Sequence, residues 1–320
     1  MSDAQTRPAP SSTWIRPEVM TFVLLILAVV AASQISEFFL DIRYILDSFT
    51  LYAEIALVAL VLTMLIIAGE IDLSGAANMA LSASLFAWAQ AAGVPMPLAI
   101  GVGLAAGLAM GALNAFMVIA LRLPSIIVTI GTLILFRGLA QVVAGDASIR
   151  VPEWYIGINT VTIAGIPVTV LIFALVALIL SLIMGFTIFG RQIYLIGTNE
   201  VAARHAGIRS DRIKTILFLL LGLTAAVAGL MTASRLGSVR YDLALGGELQ
   251  MVLIAMLGGT YIFGGRGTIA GSFLAAWLLV IVSTGMIVAN WLPAWQLCVL
   301  GTLLIVSIVA TNLIYSRTQR

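Results

Sequence analysis

Read along the chain, apolar residues come in runs of membrane-spanning length separated by short polar breaks. A transmembrane helix needs about 20 mostly apolar residues. Ten stretches meet or approach that requirement: 18–36, 51–68, 75–92, 98–120, 125–144, 167–189, 213–234, 248–263, 268–288 and 294–315. The pattern predicts an all-α polytopic membrane protein with about ten transmembrane helices: a tail at 1–17, a transmembrane domain at 18–315 and a second tail at 316–320. The eighth stretch is short and glycine-broken, so it reads as irregular or only partly spanning. Such backbone is tolerated at membrane depth where protein or a water-filled cavity surrounds it. The polar start, followed by an apolar run from Met20, has the layout of a signal peptide, with Val30-Ala31-Ala32 as a cleavage-like site. With many spans to follow, the first is read as an uncleaved helix.

The break between the second and third stretches is the one that carries chemistry. Gly69-Glu70-Ile71-Asp72-Leu73-Ser74-Gly75 sets two carboxylates and a hydroxyl between glycines. A charged side chain at the bilayer centre costs about 2.5 kcal/mol or more, so the cluster belongs at an interface or on a polar path. If the helix continued through it, Glu70, Ser74 and Asn78 would form one stripe at i, i+4 and i+8, with Asp72 turned away. If the chain breaks at Gly69 and Gly75, Asp72 and Ser74 point together. Three roles stay open: capping of the third span by Asp72 or Ser74, hydrogen bonding to substrate hydroxyls, and gating of a path.

Composition narrows the class. The chain has 320 residues, 62% hydrophobic and 9% charged, with mean hydropathy +1.14, against about 25% charged in soluble domains. A net charge of +2 points to no nucleic acid. The single cysteine, Cys298, has no partner for an intramolecular disulfide and sits in an apolar run. With one histidine, His205, and no His/Cys constellation, no metal site, cofactor or catalytic set is expected. With ten spans and an interior N-terminus, eleven lysines and arginines fall inside and four outside, with Arg137 inside a span. The positive-inside rule then places both termini in the cytoplasm. Loss of the eighth span would move Arg266, Arg317 and Arg320 outside.

The largest interior segment is the loop at 190–213. Within it Asn199 is a helix N-cap, Glu200 suits the positive end of the helix dipole, and Gly207 is a stop. Ala202, Ala203 and Ala206 leave one side thin, fit for a partner's groove; the plain alternative is a solvated basic loop including Arg204. Arg137 lies in the fifth span, either snorkelling to the outer interface or taking a path-lining or ion-pair role. Asn114 reads as a bond across helices. Gly258, Gly259, Gly264, Gly265, Gly267 and Gly271 mark a tight turn allowing close backbone approach, a dimer or path-lining hairpin. The segment Ser234–Asp242 carries both charge signs and an aromatic, as a docking surface or a wet loop.

Three of these segments, Gly69–Ser74, Gly190–Ile208 and Leu257–Gly271, occur in an order that resembles the permease subunits of bacterial ABC importers for monosaccharides. That family includes the ribose, xylose, arabinose, rhamnose and autoinducer-2 systems. The resemblance runs from about residue 20 to residue 315. Family members usually read Gly-Gly-Ile-Asp-Leu-Ser, so Glu70 is a departure. The resemblance implies a homodimer or paralogous heterodimer of permeases in the bacterial inner membrane, two cytoplasmic ATPase subunits and a periplasmic sugar-binding protein. Asn199–Ile208 then matches the helix that docks on the ATPase. Independently, the only lysine, Lys214, is preceded by Arg212 and Ile213 and cannot serve a phosphate-binding Gly-x-x-x-x-Gly-Lys-Ser/Thr loop. ATP hydrolysis must come from a partner, and the chain is read as no enzyme. The rival reading is an ion-gradient transporter that loads a cation on Glu70 and Asp72.

Overall fold

The computed structural model describes residues 17–36, 39, 41–157 and 161–317. The tail residues 1–16 and 318–320, with Arg7, Arg16 and Arg320, lie outside them. In chain order the helices are α1 (Pro17–Ile35), α2 (Ile42–Phe49), α3 (Ala53–Ile67), α4 (Gly75–Ala91), α5 (Met96–Ala115), α6 (Ser125–Ala144), α7 (Glu153–Ile156), α8 (Val168–Phe186), α9 (Ile188–Thr198), α10 (Glu200–His205), α11 (Ser210–Leu236), α12 (Gly247–Leu257), α13 (Ile269–Val288) and α14 (Pro293–Arg317). A five-residue π-helix, Phe116–Ala120, finishes α5. Among the described residues, strands are confined to two short pairs, 149–150 with 238–239 and 162–163 with 166–167.

The fold is that of an all-α polytopic membrane protein, but the spans are not ten equal helices. Among the described residues, seven helices are long and apolar enough to cross a bilayer, and α2 with α3 forms an eighth bent by 68°. The other two expected spans are shorter: α4 has 17 residues and α12 has 11. The physical reason is burial. Nearly every residue of α3 is inaccessible, and α4 is likewise enclosed. These helices run through protein rather than lipid, so the bilayer thickness does not set their length.

Small residues let the central helices approach. Gly103, Gly107 and Gly111 make an i, i+4 stripe on α5 that faces α11 and α4. A methyl group on Gly107 would come within 2.4 Å of Ala226 and 2.6 Å of the Gly222 carbonyl oxygen. Close backbone contact of this kind replaces the hydrophobic effect as the force between helices in lipid. Asn78 adds a polar tie, donating to the Gly107 carbonyl at 3.3 Å.

Candidate translocation and coupling site

At one end of the bundle the break after α3, the corner between α9 and α10, the π-helix turn into α6 and the α12–α13 turn converge. The helix does break: α3 stops at Ile67, Gly69 turns at a φ of 89°, and α4 begins at Gly75. Glu70 therefore shares no stripe with Ser74 and Asn78. The exposed backbone of the break is taken up by α6: Ser125 Oγ accepts from the Ile71 N–H at 3.2 Å, and Thr129 Oγ1 donates to the Ile71 carbonyl at 3.3 Å.

Asp72 and Ser74 turn inward together. One oxygen of Asp72 accepts from the Ser74 N–H at 2.7 Å and the Ser74 hydroxyl at 2.6 Å. Asn114 Nδ2 donates to the other at 3.0 Å and to Ser74 Oγ at 2.9 Å. Asp72 is 4% exposed. The triad ties the break to α5, with Asn114 bonding across elements. Ser74 is the residue before α4 but makes no side-chain cap bond, so capping by its hydroxyl is absent, and Asp72 serves the Ser74 N–H rather than the first turn of α4.

Glu70 turns to a different set of partners. Its Oε1 lies 2.7 Å from Lys214 Nζ, and the same nitrogen lies 2.7 Å from Glu200 Oε2. Arg204 holds the other oxygen of Glu200 at 2.8 Å and also pairs with Asp211. Burial pushes the Glu200 carboxyl up, but the hydrogen bonds and charges of Lys214 and Arg204 outweigh this and hold it below the usual range. Arg204 is held above its usual value by Glu200 and Asp211. This network walls an open cavity of about 560 Å³, lined on its other side by Val118, Ile119 and residues 122–125.

The α10 segment folds as its residues dictate. Asn199 Oδ1 accepts from the Ala202 N–H at 3.0 Å, and Gly207 turns out of the helix at a φ of 82°. The small-residue side divides in two, however. Ala203 is 5% exposed and faces the chain's own core, whereas Ala202, Ala206 and Val201, the last 65% exposed, face outward.

Close by, four glycines meet. The Ile67 carbonyl accepts from the Gly265 N–H at 2.8 Å. A methyl on Gly197 of α9 would sit 1.8 Å from that same oxygen, and one on Gly264 would sit 2.9 Å from the Gly69 Cα. Tyr194 Oη donates to the Gly267 carbonyl at 2.9 Å. The other expected glycines close the α12–α13 turn on itself, since a methyl on Gly271 would lie 2.0 Å from the Gly258 oxygen and Gly259 turns at a φ of 85°. The close approach that those glycines permit is thus within one chain.

Residues 44–308 match the family model described as the permease component of branched-chain amino acid transport systems. The chain belongs to this permease family. It is 32% identical over 309 residues to the autoinducer 2 import system permease protein LsrD of Escherichia coli O9:H4 (strain HS), covering 94% of each chain. The same figures hold for the protein of that name in Shigella flexneri. The one in Enterobacter sp. (strain 638) is 32% identical over 276 residues, covering 84% of each. No solved structure matches the chain.

At the opposite end of this permease, Arg137 neither reaches for lipid nor joins the break. Its Nη1 donates to the carbonyls of Tyr241 at 2.9 Å and Leu243 at 2.6 Å, fixing the segment that leads into α12. Its Nη2 and Glu248 Oε2 are buried and lack a hydrogen-bond partner among the described residues. Arg235 pairs at 2.9 Å with the buried Glu54, and Ser234 donates to the Tyr155 carbonyl. Of the charges on Ser234–Asp242, Arg235 is thus spent inside the chain, whereas Arg240 and Asp242 pair with each other at the surface.

Sequence reasoning missed Lys214, Gly197, Ser125, Thr129, Glu54 and Glu248. Two had a signal. Glu54 is a carboxylate within an apolar stretch, which marks a paired intramembrane group, and Lys214 is the only lysine, set at the start of one. The glycine and hydroxyl residues, and Glu248 as an ordinary first-turn acid of α12, had none, because their roles come from segments distant in sequence.

Proposed function

We propose that this permease is the membrane-spanning subunit of an ATP-driven importer that moves a monosaccharide or related small polyol across the bacterial inner membrane by alternating access. A rhamnose-like sugar or autoinducer-2 is the favoured cargo, the latter on the strength of the LsrD similarity over 94% of the chain. In this reading both termini and the 190–213 loop face the cytoplasm. Partner ATPases dock on the outward side of α10. A periplasmic binding protein delivers substrate to the opposite end, and a second permease completes the path.

The observation that carries the mechanism is that loop and break form one contact set. Closure of the ATPases would displace α9 and α10, which lie against the Gly69–Ser74 break. The Asp72–Ser74–Asn114 triad then acts as a gate that hydrogen-bonds sugar hydroxyls as they pass. Asn78 and Arg137 hold the walls, and the buried donor and acceptor at Arg137 and Glu248 are of the kinds that hydroxyls satisfy.

The rival gradient-driven mechanism fits the geometry less well. Glu70 already holds an ammonium at 2.7 Å, and Asp72 is engaged by Ser74 and Asn114. The test is reconstitution in vesicles with a partner ATPase and a periplasmic binding protein of this importer class. ATP-dependent uptake of labelled rhamnose or autoinducer-2 is expected, with none of leucine. Gradient-driven uptake by this chain alone would overturn the ATP-driven reading, and uptake of leucine in place of sugar would overturn the cargo.

A further inference from the structure

Lys214 stands apart from every other charge in this protein. It is the only lysine in 320 residues, its side chain is 8% exposed, and one nitrogen serves two carboxylates, each at 2.7 Å. Those carboxylates belong to segments far apart in sequence: Glu200 opens α10, and Glu70 lies in the break between α3 and α4. Glu200 is held from both sides, by Lys214 on one oxygen and by Arg204 on the other. Helix α10 therefore has little freedom to rotate or withdraw without moving the ammonium. Stability is a poor explanation for the arrangement, because ion pairs taken out of water often gain less from mutual attraction than they lose in hydration. What a shared buried charge does supply is direction, since the two carboxylates must move with it or abandon it.

We propose that Lys214 is the positioning residue that carries displacement of the α9–α10 corner into the Gly69–Ser74 break, with Glu200 as its input and Glu70 as its output. This rests on the reading of α10 as the ATPase-docking helix and adds the link by which that docking is felt. The glycine contact at Gly197 and Ile67 pushes on the end of α3. The ammonium pulls on Glu70 three residues further on, so the two contacts bracket the turn at Gly69. Rotation of the break between them would draw Asp72 relative to Asn114 on α5.

The test uses the full complex of permease, ATPase and binding protein in vesicles, reading sugar transported per ATP hydrolysed. Lys214→Met is expected to leave ATPase binding stoichiometric and ATP hydrolysis running while transport per ATP falls about tenfold or more. Glu70→Gln should fall several-fold, and the double variant should be no worse than Lys214→Met alone, as members of one linkage are non-additive. Because Lys214→Met strands buried carboxylates and is liable to misfold, Glu70→Gln/Lys214→Gln provides a variant without an isolated charge at that contact; it should assemble and remain uncoupled. Transport per ATP within twofold of wild type in either lysine variant, or additive losses, would overturn the link. A wild-type complex that never assembles would overturn the functional reading and the link together, whereas a coupled wild type beside coupled variants removes the link alone.

Discussion

At the scale of single residues, Asp72 and Glu70 separate cleanly although two positions apart. Asp72 accepts three hydrogen bonds from Ser74 and Asn114 and pairs with no cation among the described residues, whereas Glu70 is matched to Lys214. Replacing Asp72 by alanine strands the Ser74 N–H and hydroxyl and leaves Asn114 with only its bond to Ser74 Oγ, at a cost of about 1–3 kcal/mol for each group left unsatisfied in the interior. Asparagine is different. The Asn114 amide can turn over, presenting its oxygen, which has no hydrogen-bond partner among the described residues, to the new Nδ2. Asp72→Asn is thus expected to lose less stability than Asp72→Ala, since the flip gives up the Asn114 bond to Ser74 Oγ but keeps the others, while uptake in reconstituted vesicles drops about tenfold or more because the charge has gone. Glu70→Gln should be the milder of the two at equal expression. A more damaging Glu70→Gln, or silence in both, would show that Asp72 is not the functional member.

At the scale of elements, the orientation of α10 decides which substitutions report on docking. Ala203 faces the core, so a bulky charge there disturbs folding. Val201 faces outward, and Val201→Glu is expected to leave the permease folded while the ATPase fails to co-purify; full recovery of the ATPase would remove α10 from the interface. The same helix has a pH dependence that can be signed. The Glu200 carboxyl is depressed in the folded chain, so its contribution is present in full above the unfolded value of about 4.3. It is lost as pH falls further, through the lower folded value. Hydrogen exchange of the α10 amides should accelerate relative to those of α11 below about pH 4.3, and Glu200→Gln should abolish that step.

For the whole molecule, the proposed orientation puts α10 inside and the 145–150 turn outside. In a Cys298→Ser background, His205→Cys should react with an impermeant thiol reagent only from the cytoplasmic face, and Asp146→Cys only from the other; the reverse pattern would invert the molecule. Much of this architecture was legible in the chain because lipid imposes one rule on apolar runs, and each of the ten stretches contains a helix. What was not legible is which helices lipid touches. Runs such as Ala53–Ile67 and Gly247–Leu257 are as apolar as the outer spans, yet they are enclosed and short, and hydropathy does not distinguish lipid from protein as solvent. The site divided along similar lines. Asn199, Gly207 and the break at Gly69 follow from local backbone preference, so the sequence shows them. The Asp72–Asn114 and Glu70–Lys214 contacts join residues 42 and 144 positions apart, and no local pattern encodes them.

The meeting of Gly69, Gly197, Gly264 and Gly265 has a genetic consequence. Three segments share one point with no side chain to trim, so a methyl introduced at Gly197, 1.8 Å from the Ile67 oxygen, has no room to settle. Gly197→Ala should abolish uptake. In a selection for revertants, compensating changes should not arise at the other three glycines, which are already as small as a residue can be. Suppressors are expected instead where a whole helix can be reseated, among the large buried side chains that back α3 and α9. Recovery of growth through a second change at Gly69, Gly264 or Gly265 would mean that this joint is looser than its distances imply.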